Sequence, residues 1–167
     1  VVGVCAGFQM LGERIRNASV ESTSASGDVD AIGLLPVETT FSEAKEVSRT
    51  TCAVQGVGPI AGAEGEASGY EIHMGTSSLL EPGQTDSIPR PLDRHSVAID
   101  GVLGTYLHGL FENPNVREAF VDSVFEHAGK ERPTDGPATT SPYERAADIL
   151  EEYVSLSRID GLADYVD

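Results

Sequence analysis

The sequence is poor in cysteine and has no long hydrophobic run. Cys5 and Cys52 are its only cysteines, which are too few for a disulfide framework or a zinc cluster. No apolar stretch approaches the roughly 18 residues that a membrane-spanning helix needs, and no charged-then-apolar signal segment opens the chain. These absences predict a cytoplasmic protein with no membrane partner and no metal site.

Positive charge is scarce as well, and lysine above all. Lys45 and Lys130 are the only lysines among 11 basic residues, which face 27 acidic ones, so the formal net charge is −16. Binding to nucleic-acid phosphates needs clustered lysine and arginine, so no nucleic-acid partner is expected. A strongly acidic, lysine-poor surface is typical of proteins in molar salt, which screens repulsion between negative charges. We therefore expect a halophilic source.

The residues that are present suit an α/β domain. A length of 167 residues is typical of one domain, and 40% hydrophobic residues can fill a core. Short β-branched or alternating runs predict strands at residues 1–4, 34–41, 46–54, 70–74, 96–99 and 102–107. Asp100-Gly101 predicts a hairpin turn between the last two. Because an apolar strand starts at Val1, we expect the chain to begin inside a domain.

Helices and loops complete the predicted organisation. Helical spacing of apolar residues predicts helices at 7–16, from Asn113-Pro114 to residue 127, and at 143–157. The last helix follows a linker at 128–142, and its apolar face is expected to pack on the domain. Residues 75–94 contain three prolines and predict a long loop.

The most informative motif is Gly3-Val4-Cys5-Ala6-Gly7, between the first strand and the first helix. A Gly-x-Cys-x-Gly turn at such a place lifts a nucleophile above the sheet edge, and both glycines are expected to be steric requirements. The helix N-terminus favours the thiolate form of Cys5, and the Ala6 N–H would point at a developing oxyanion. The alternative is a small buried cysteine among glycines.

A nucleophilic cysteine needs a base, and the sequence offers four histidines. His108 follows the second hairpin strand and precedes a helix, a position where active sites of α/β sheets collect. His73, in the run 69–75, is the rival. His95 and His127 are interpreted as surface or helix-face residues, and Cys52 as a core residue of a strand.

Four motifs together resemble one known family. They are residues 3–12 (GVCAGFQMLG), 33–40 (GLLPVETT), 69–75 (GYEIHMG) and 104–113 (GTYLHGLFEN). In this order they closely resemble the glutamine amidotransferase domains of cobyric acid synthases, enzymes of the cobalamin pathway. The resemblance covers essentially the whole chain. It implies a three-layer, flavodoxin-like class I glutamine amidotransferase fold with an added β-rich segment, incomplete at the N-terminus.

The resemblance also implies roles for individual residues. Cys5 would be the nucleophile and His108 its base, and Gln9 would act on the substrate glutamine. Tyr70 and His73 would also bind substrate, as would the N–H of Ala6. The chain would host the glutaminase step, which supplies ammonia for ATP-dependent amidation of corrinoid carboxylates.

Two departures from the family pattern qualify this interpretation. Most class I amidotransferases carry His-x-Glu, whereas position 110 is leucine, so a Cys–His dyad is expected, with Glu112 as a candidate substitute for the missing carboxylate. The N-terminal synthetase domain, which would hold ATP, magnesium and the corrinoid, is not in this sequence. The first strands of the amidotransferase domain, with the loop that offers the second oxyanion N–H, are also expected to be missing, so residues 1–167 are expected to be inactive alone. The alternatives are a cobyrinic acid a,c-diamide synthase glutaminase domain, another Cys–His hydrolase, or a non-catalytic fragment.

Overall fold

A computed structural model describes residues 1–20, 27–80, 88–133 and 142–153, which fall into two units, residues 1–131 and 132–167. The first unit contains seven strands and two helices among its described residues. They are β1 (Val2–Val4), α1 (Ala6–Leu11), β2 (Arg14–Arg16), β3 (Val29–Asp30), β4 (Val37–Ala53), β5 (Glu66–Leu79), β6 (Ser96–Ile99), β7 (Val102–Thr105) and α2 (Pro114–His127). In the second unit, α3 spans Pro142–Tyr153.

The first sheet has three strands in the order β1-β7-β6. β1 pairs with β7 in parallel, with Val4 opposite Thr105, and β7 pairs with β6 as an antiparallel hairpin. Asp100 and Gly101 connect that hairpin with φ values of 47° and 76°. Two positive φ angles are what a tight type I′ turn requires, so the predicted hairpin is confirmed.

The second sheet has the order β3-β2-β4-β5 and is dominated by the long antiparallel pair β4–β5. The sequence predicted two strands at 34–41 and 46–54 with a charged turn between them, which was wrong. The charged residues form an irregularity inside β4, where the register shifts between Phe41 and Glu46. Residues 75–79 were predicted as loop but continue β5, because they pair with the first part of β4.

The helix predicted at 7–16 is shorter in the structure, because α1 ends at Leu11. A Cβ atom at Gly12 would lie 2.7 Å from the carbonyl oxygen of Val37, so the chain passes close to β4 at this point. Residues 14–16 then pair in parallel with β4 as β2. Ile15 belongs to the apolar spacing that predicted a longer helix, but in the structure it is the central residue of the strand β2.

The core of the first unit has two apolar clusters. One centres on α1 and β7, where the ring of Phe8 meets Tyr106 edge to face at 5.3 Å. The other includes Val116 and Ala119 of α2. The predicted buried stripe of α2 holds at Val116, but Val124 is exposed. Two mixed sheets with helices confirm the α/β class and the added β-rich segment.

The helix α3 begins one residue before its predicted start, and its predicted end at residue 157 lies outside the described residues. Its side chains Tyr143, Ile149, Leu150 and Tyr153 are exposed. Most of the predicted linker at 128–142 also lies outside the described residues, and packing of α3 on the domain stays a prediction. None of the described helices is both long and apolar enough to cross a membrane.

Candidate active site

Cys5 occupies a strained turn directly after β1. Its φ is 53° and its ψ is −115°, a region that residues with a Cβ rarely adopt. Its backbone N–H donates to the Thr105 carbonyl (2.8 Å), and its carbonyl accepts from the Gln9 N–H (3.1 Å), which opens α1. The thiol therefore sits between the end of a parallel strand and a helix N-terminus, as the sequence predicted.

The two glycines that flank this turn are not equivalent. A Cβ at Gly3 would lie 2.5 Å from Leu11 Cδ1 and 2.7 Å from the backbone of Gly7, so only glycine fits there. A Cβ at Gly7 would meet nothing within 4 Å. The prediction that both glycines are steric requirements was wrong for Gly7, because the crowding comes from the strand side of the turn.

His108 follows β7 and is fastened to β5. Its N–H donates to the Tyr70 carbonyl (2.8 Å) and its carbonyl accepts from the Tyr70 N–H (3.2 Å). A Cβ at Gly69 would overlap the His108 carbonyl oxygen, so this glycine allows the close approach. The imidazole stacks on the Tyr70 ring with centroids 4.9 Å apart and planes 4° apart. Its Nε2 is buried and has no hydrogen-bond partner in the described part of the chain.

The strand β5 brings Cys5 and His108 to the same place. The Cys5 thiol donates to the Ile72 carbonyl at 3.4 Å, and His108 is paired with Tyr70, two residues away. Two residues span about 7 Å along a strand. Both residues also follow neighbouring parallel strands, since β1 pairs with β7. A cysteine and a histidine 103 positions apart in sequence therefore share one corner of the first sheet.

Gln9 points into the core next to this corner. Its side chain is buried, and its Nε2 donates to the Tyr106 hydroxyl at 3.2 Å. That hydroxyl also lies 2.8 Å from Ser77 Oγ. Burial raises the pKa of Tyr106, so the phenol keeps its proton. The structure thus links Gln9 to β5 through Tyr106, and a direct role of Gln9 toward glutamine stays a prediction.

His73, the rival base, faces a different environment. Its side chain is 2% exposed, its Nδ1 lies 2.6 Å from the Gly75 carbonyl oxygen, and its ring stacks on Tyr106 with centroids 3.9 Å apart. Its Nε2 points toward Glu71 and Glu46, at 3.6 Å and 4.0 Å from one oxygen of each. Packing against Tyr106 and the contact with Gly75 account for its burial, and its predicted role in substrate binding stays a prediction.

The sequence reasoning missed the group of side chains around His73. Glu46, Glu71, His73, Asp93 and His95, here called the acidic–histidine cluster, come from three separate parts of the chain. Burial, the neighbouring Asp93 carboxyl and the charge of Glu46 raise the pKa of Glu71 to about 7. The alternation of Glu71 and His73 on one strand indicates a shared face, but nothing in the sequence indicates that this face is buried.

His95, expected at the surface or on a helix face, is half-buried, and its Nδ1 atom is buried. Burial, together with the nearby charge of Arg94, lowers the pKa of His95. His127 is exposed in the last turn of α2, as expected.

The two remaining candidate residues are Cys52 and Glu112. Burial raises the pKa of the Cys52 thiol to about 11, helped by nearby carboxylates, so this cysteine stays protonated and unreactive. The Glu112 carboxylate lies beside Gly109, and the buried Nε2 of His108 has no hydrogen-bond partner, Glu112 included, within the described residues. In this structure Glu112 does not orient the His108 imidazole.

Comparison with known proteins gives consistent results. The profile of a family described as a CobB/CobQ-like glutamine amidotransferase domain matches residues 1–116. A probable cobyric acid synthase of Halobacterium salinarum is 45% identical over 160 residues, which covers 93% of this chain and 30% of the relative. One from Methanococcoides burtonii is 36% identical, covering 97% of this chain and 32% of the relative. A cobyric acid synthase of Chloroflexus aurantiacus is 37% identical, with shares of 97% and 33%. The chain thus spans about a third of the length of these relatives.

Proposed function

Because the chain belongs to the CobB/CobQ-like glutamine amidotransferase domain family, we propose that it releases ammonia from the side-chain amide of glutamine, with Cys5 and His108 as catalytic residues. The observation that carries this proposal is their convergence. Cys5 and His108 follow paired parallel strands, and both are bonded to the stretch of β5 from Tyr70 to Ile72.

The reaction proceeds in two halves. The Cys5 thiolate attacks the amide carbon of glutamine, and the tetrahedral oxyanion accepts a hydrogen bond from the Ala6 N–H. His108 Nε2 gives a proton to the departing nitrogen, so ammonia leaves and a glutamyl thioester remains. His108 Nε2 then takes a proton from a water molecule. This water attacks the thioester and releases glutamate and the Cys5 thiol. Glutamine and water are consumed, and glutamate and ammonia are formed.

The neighbouring side chains position these groups. Stacking on Tyr70 fixes the plane of the His108 ring, a task that the carboxylate of a His-x-Glu motif performs elsewhere in class I amidotransferases. Tyr70 is half exposed, so its free edge can also contact bound glutamine. Gln9 supports the site through Tyr106 and reaches glutamine only if its side chain turns out of that contact.

We also propose that the ammonia serves a cobyric acid synthase reaction in the cytoplasm. The names of the relatives support the cobyric acid synthase reaction, and so does the fraction of their length that the chain covers. A synthetase part would hold ATP, magnesium and a corrinoid and would use the ammonia to amidate corrinoid carboxylates. The relatives do not favour the alternative of a cobyrinic acid a,c-diamide synthase.

The decisive experiment separates glutamine hydrolysis from use of ammonia. In the full-length protein that carries this chain, Cys5→Ala and Cys5→Ser should abolish glutamine-dependent amidation and glutamate release. Amidation driven by added ammonium salt should persist, because the synthetase part would have its own site. Cys52→Ala is the matched control and should retain both activities. Loss of both activities in the Cys5 variants, or retention of glutaminase activity, would contradict the proposal.

A further inference from the structure

The acidic–histidine cluster converges on one small volume beside Tyr106. Glu46 lies on β4, Glu71 on β5, and His95 immediately before β6. One carboxylate oxygen or imidazole nitrogen from each of these three residues lies within 4.8 Å of the others. Two acidic groups so close together and partly buried need a compensating positive charge.

A separate observation at His73 indicates where this charge lies. The Gly75 carbonyl oxygen can only accept, so the 2.6 Å contact places a proton on His73 Nδ1. In a neutral ring Nε2 then carries a lone pair. Nε2 is buried, has no hydrogen-bond partner within the described residues, and faces the carboxylates of Glu71 and Glu46. When both carboxyls are ionised, a lone pair directed at them is repulsive unless a positive charge lies between them.

The distances favour a metal ion over a shared proton. His73 Nε2 lies 3.6 Å from Glu71 Oε2 and 4.0 Å from Glu46 Oε2, both too long for a hydrogen bond. Two ligands of one tetrahedral zinc ion, each bonded at about 2.0–2.2 Å, lie roughly 3.3–3.6 Å apart. The His73–Glu71 distance falls in this range, and the half-exposed Glu46 side chain would move slightly closer to reach it. The donor on Nδ1 matches a common feature of metal-binding histidines, whose second nitrogen donates to a carbonyl.

His95 can supply a further ligand. Arg94 Nε donates to His95 Nε2 at 2.7 Å, and the buried Nδ1 has no hydrogen-bond partner in the regions described. A neutral ring carries one proton, so coordination through Nδ1 would shift that proton to Nε2 and break the Arg94 contact. Arg94 is exposed and can turn into solvent.

We propose that Glu46, Glu71 and His73 bind a divalent transition-metal ion of the zinc type, and that His95, which lies near both carboxylates, supplies a further ligand. Two carboxylates with imidazole nitrogens suit zinc better than magnesium or calcium, which prefer oxygen ligands alone. The ion would join β4 and β5 to the segment before β6. Because His73 stacks on Tyr106, it would also hold the chain leading to His108. The inference is independent of the proposed glutaminase activity.

The test is zinc binding by untagged protein that carries the full chain, treated first with EDTA. All variants include Cys5→Ala, so that a Cys5–His108 pair cannot bind the ion. Isothermal titration calorimetry with Zn²⁺ at pH 7.5 should show one site per chain, and thermal unfolding should shift upward. His73→Gln should weaken binding about 100-fold. X-ray absorption should show nitrogen and oxygen ligands at about 2.0–2.2 Å and no sulfur.

Glu46→Gln provides a second test that remains valid if a variant at a buried residue fails to fold. Glu46 is 46% exposed, so its substitution should leave the fold intact and weaken zinc binding about tenfold. Glu43→Gln, at an exposed glutamate of the same strand, is the matched control and should bind like the parent. Absence of stoichiometric binding, equal affinity in Glu46→Gln and Glu43→Gln, or sulfur in the absorption spectrum would overturn the proposal.

Discussion

The turn at Cys5 and the acidic–histidine cluster are neighbours built by different means. The turn is defined by backbone geometry, with a positive φ at Cys5 and a Gly3 that has no room for a Cβ. The cluster is defined by charge, with Glu71 and His73 buried beside other ionisable groups. A packed turn holds a nucleophile at a fixed place whatever the solution contains. A buried charged cluster instead depends on pH, metal ions and salt, so the two regions should respond to different perturbations.

The strongest test of this comparison is to substitute each of the two histidines, His108 and His73, in turn. His108→Gln should lower kcat for glutamine hydrolysis in the full-length protein about 10³-fold, because proton transfer to and from the reacting groups is lost. His73→Gln should instead lower the melting temperature and leave kcat within a few-fold of the parent. Steady-state kinetics and thermal unfolding of both variants check this. A larger kcat loss in His73→Gln than in His108→Gln would make His73 the base.

The second prediction concerns pH and the metal-free protein. The folded-state pKa of Glu71 is raised to about 7 from an ordinary value of 4.5, so between these pH values the folded chain keeps a proton that the unfolded chain has lost. The free energy of unfolding should therefore fall as pH rises from 5 to 8, by at most about 3 kcal/mol. Glu71→Gln, which mimics the protonated acid, should remove most of this slope.

Denaturant unfolding in the presence of EDTA at several pH values measures this effect. Glu46 on β4, His73 on β5, and Asp93 and His95 before β6 face the same volume as Glu71. The comparison with Glu71→Gln isolates the share of one carboxyl. Parallel pH profiles for the parent and Glu71→Gln would show that Glu71 is ionised throughout.

The same contrast explains what could be predicted from the sequence. The Cys5 turn was found because its requirements lie on five consecutive residues, and the hairpin at Asp100-Gly101 was found for the same reason. The cluster was missed because its members come from residues 46, 71–73 and 93–95, which only pairing and packing bring together. The length of α1 was overestimated because the close approach of Val37 to Gly12 is a tertiary contact.

The third prediction concerns the two glycines that flank the Cys5 turn. Gly3→Ala should destabilise the fold by about 1–3 kcal/mol, because the added methyl overlaps Leu11 and the backbone of Gly7. Gly7→Ala should change stability between zero and a gain of about 1 kcal/mol, since its Cβ enters open space on a helix. Denaturant unfolding of the two variants is the measurement. Equal losses in both would mean that the turn needs glycine on each side.

The last prediction has the smallest expected effect and concerns how the stability of the molecule depends on salt. It separates the contribution of packing from that of charge. With 27 acidic and 11 basic residues, repulsion between negative charges opposes folding at low ionic strength. At 1 M salt the Debye length falls to about 3 Å and most repulsion between exposed groups is screened. The melting temperature should rise with KCl from dilute buffer into the molar range, by about 2–4 °C for each kcal/mol gained. The cost of Gly3→Ala should be the same at both ends of that range, because a steric overlap does not depend on salt.

Sucrose, which carries no charge, is the control for general solute effects. A melting temperature that is flat or falls with KCl would remove the expectation of adaptation to salt, and a Gly3→Ala cost that shrinks with KCl would show that the turn also depends on charge.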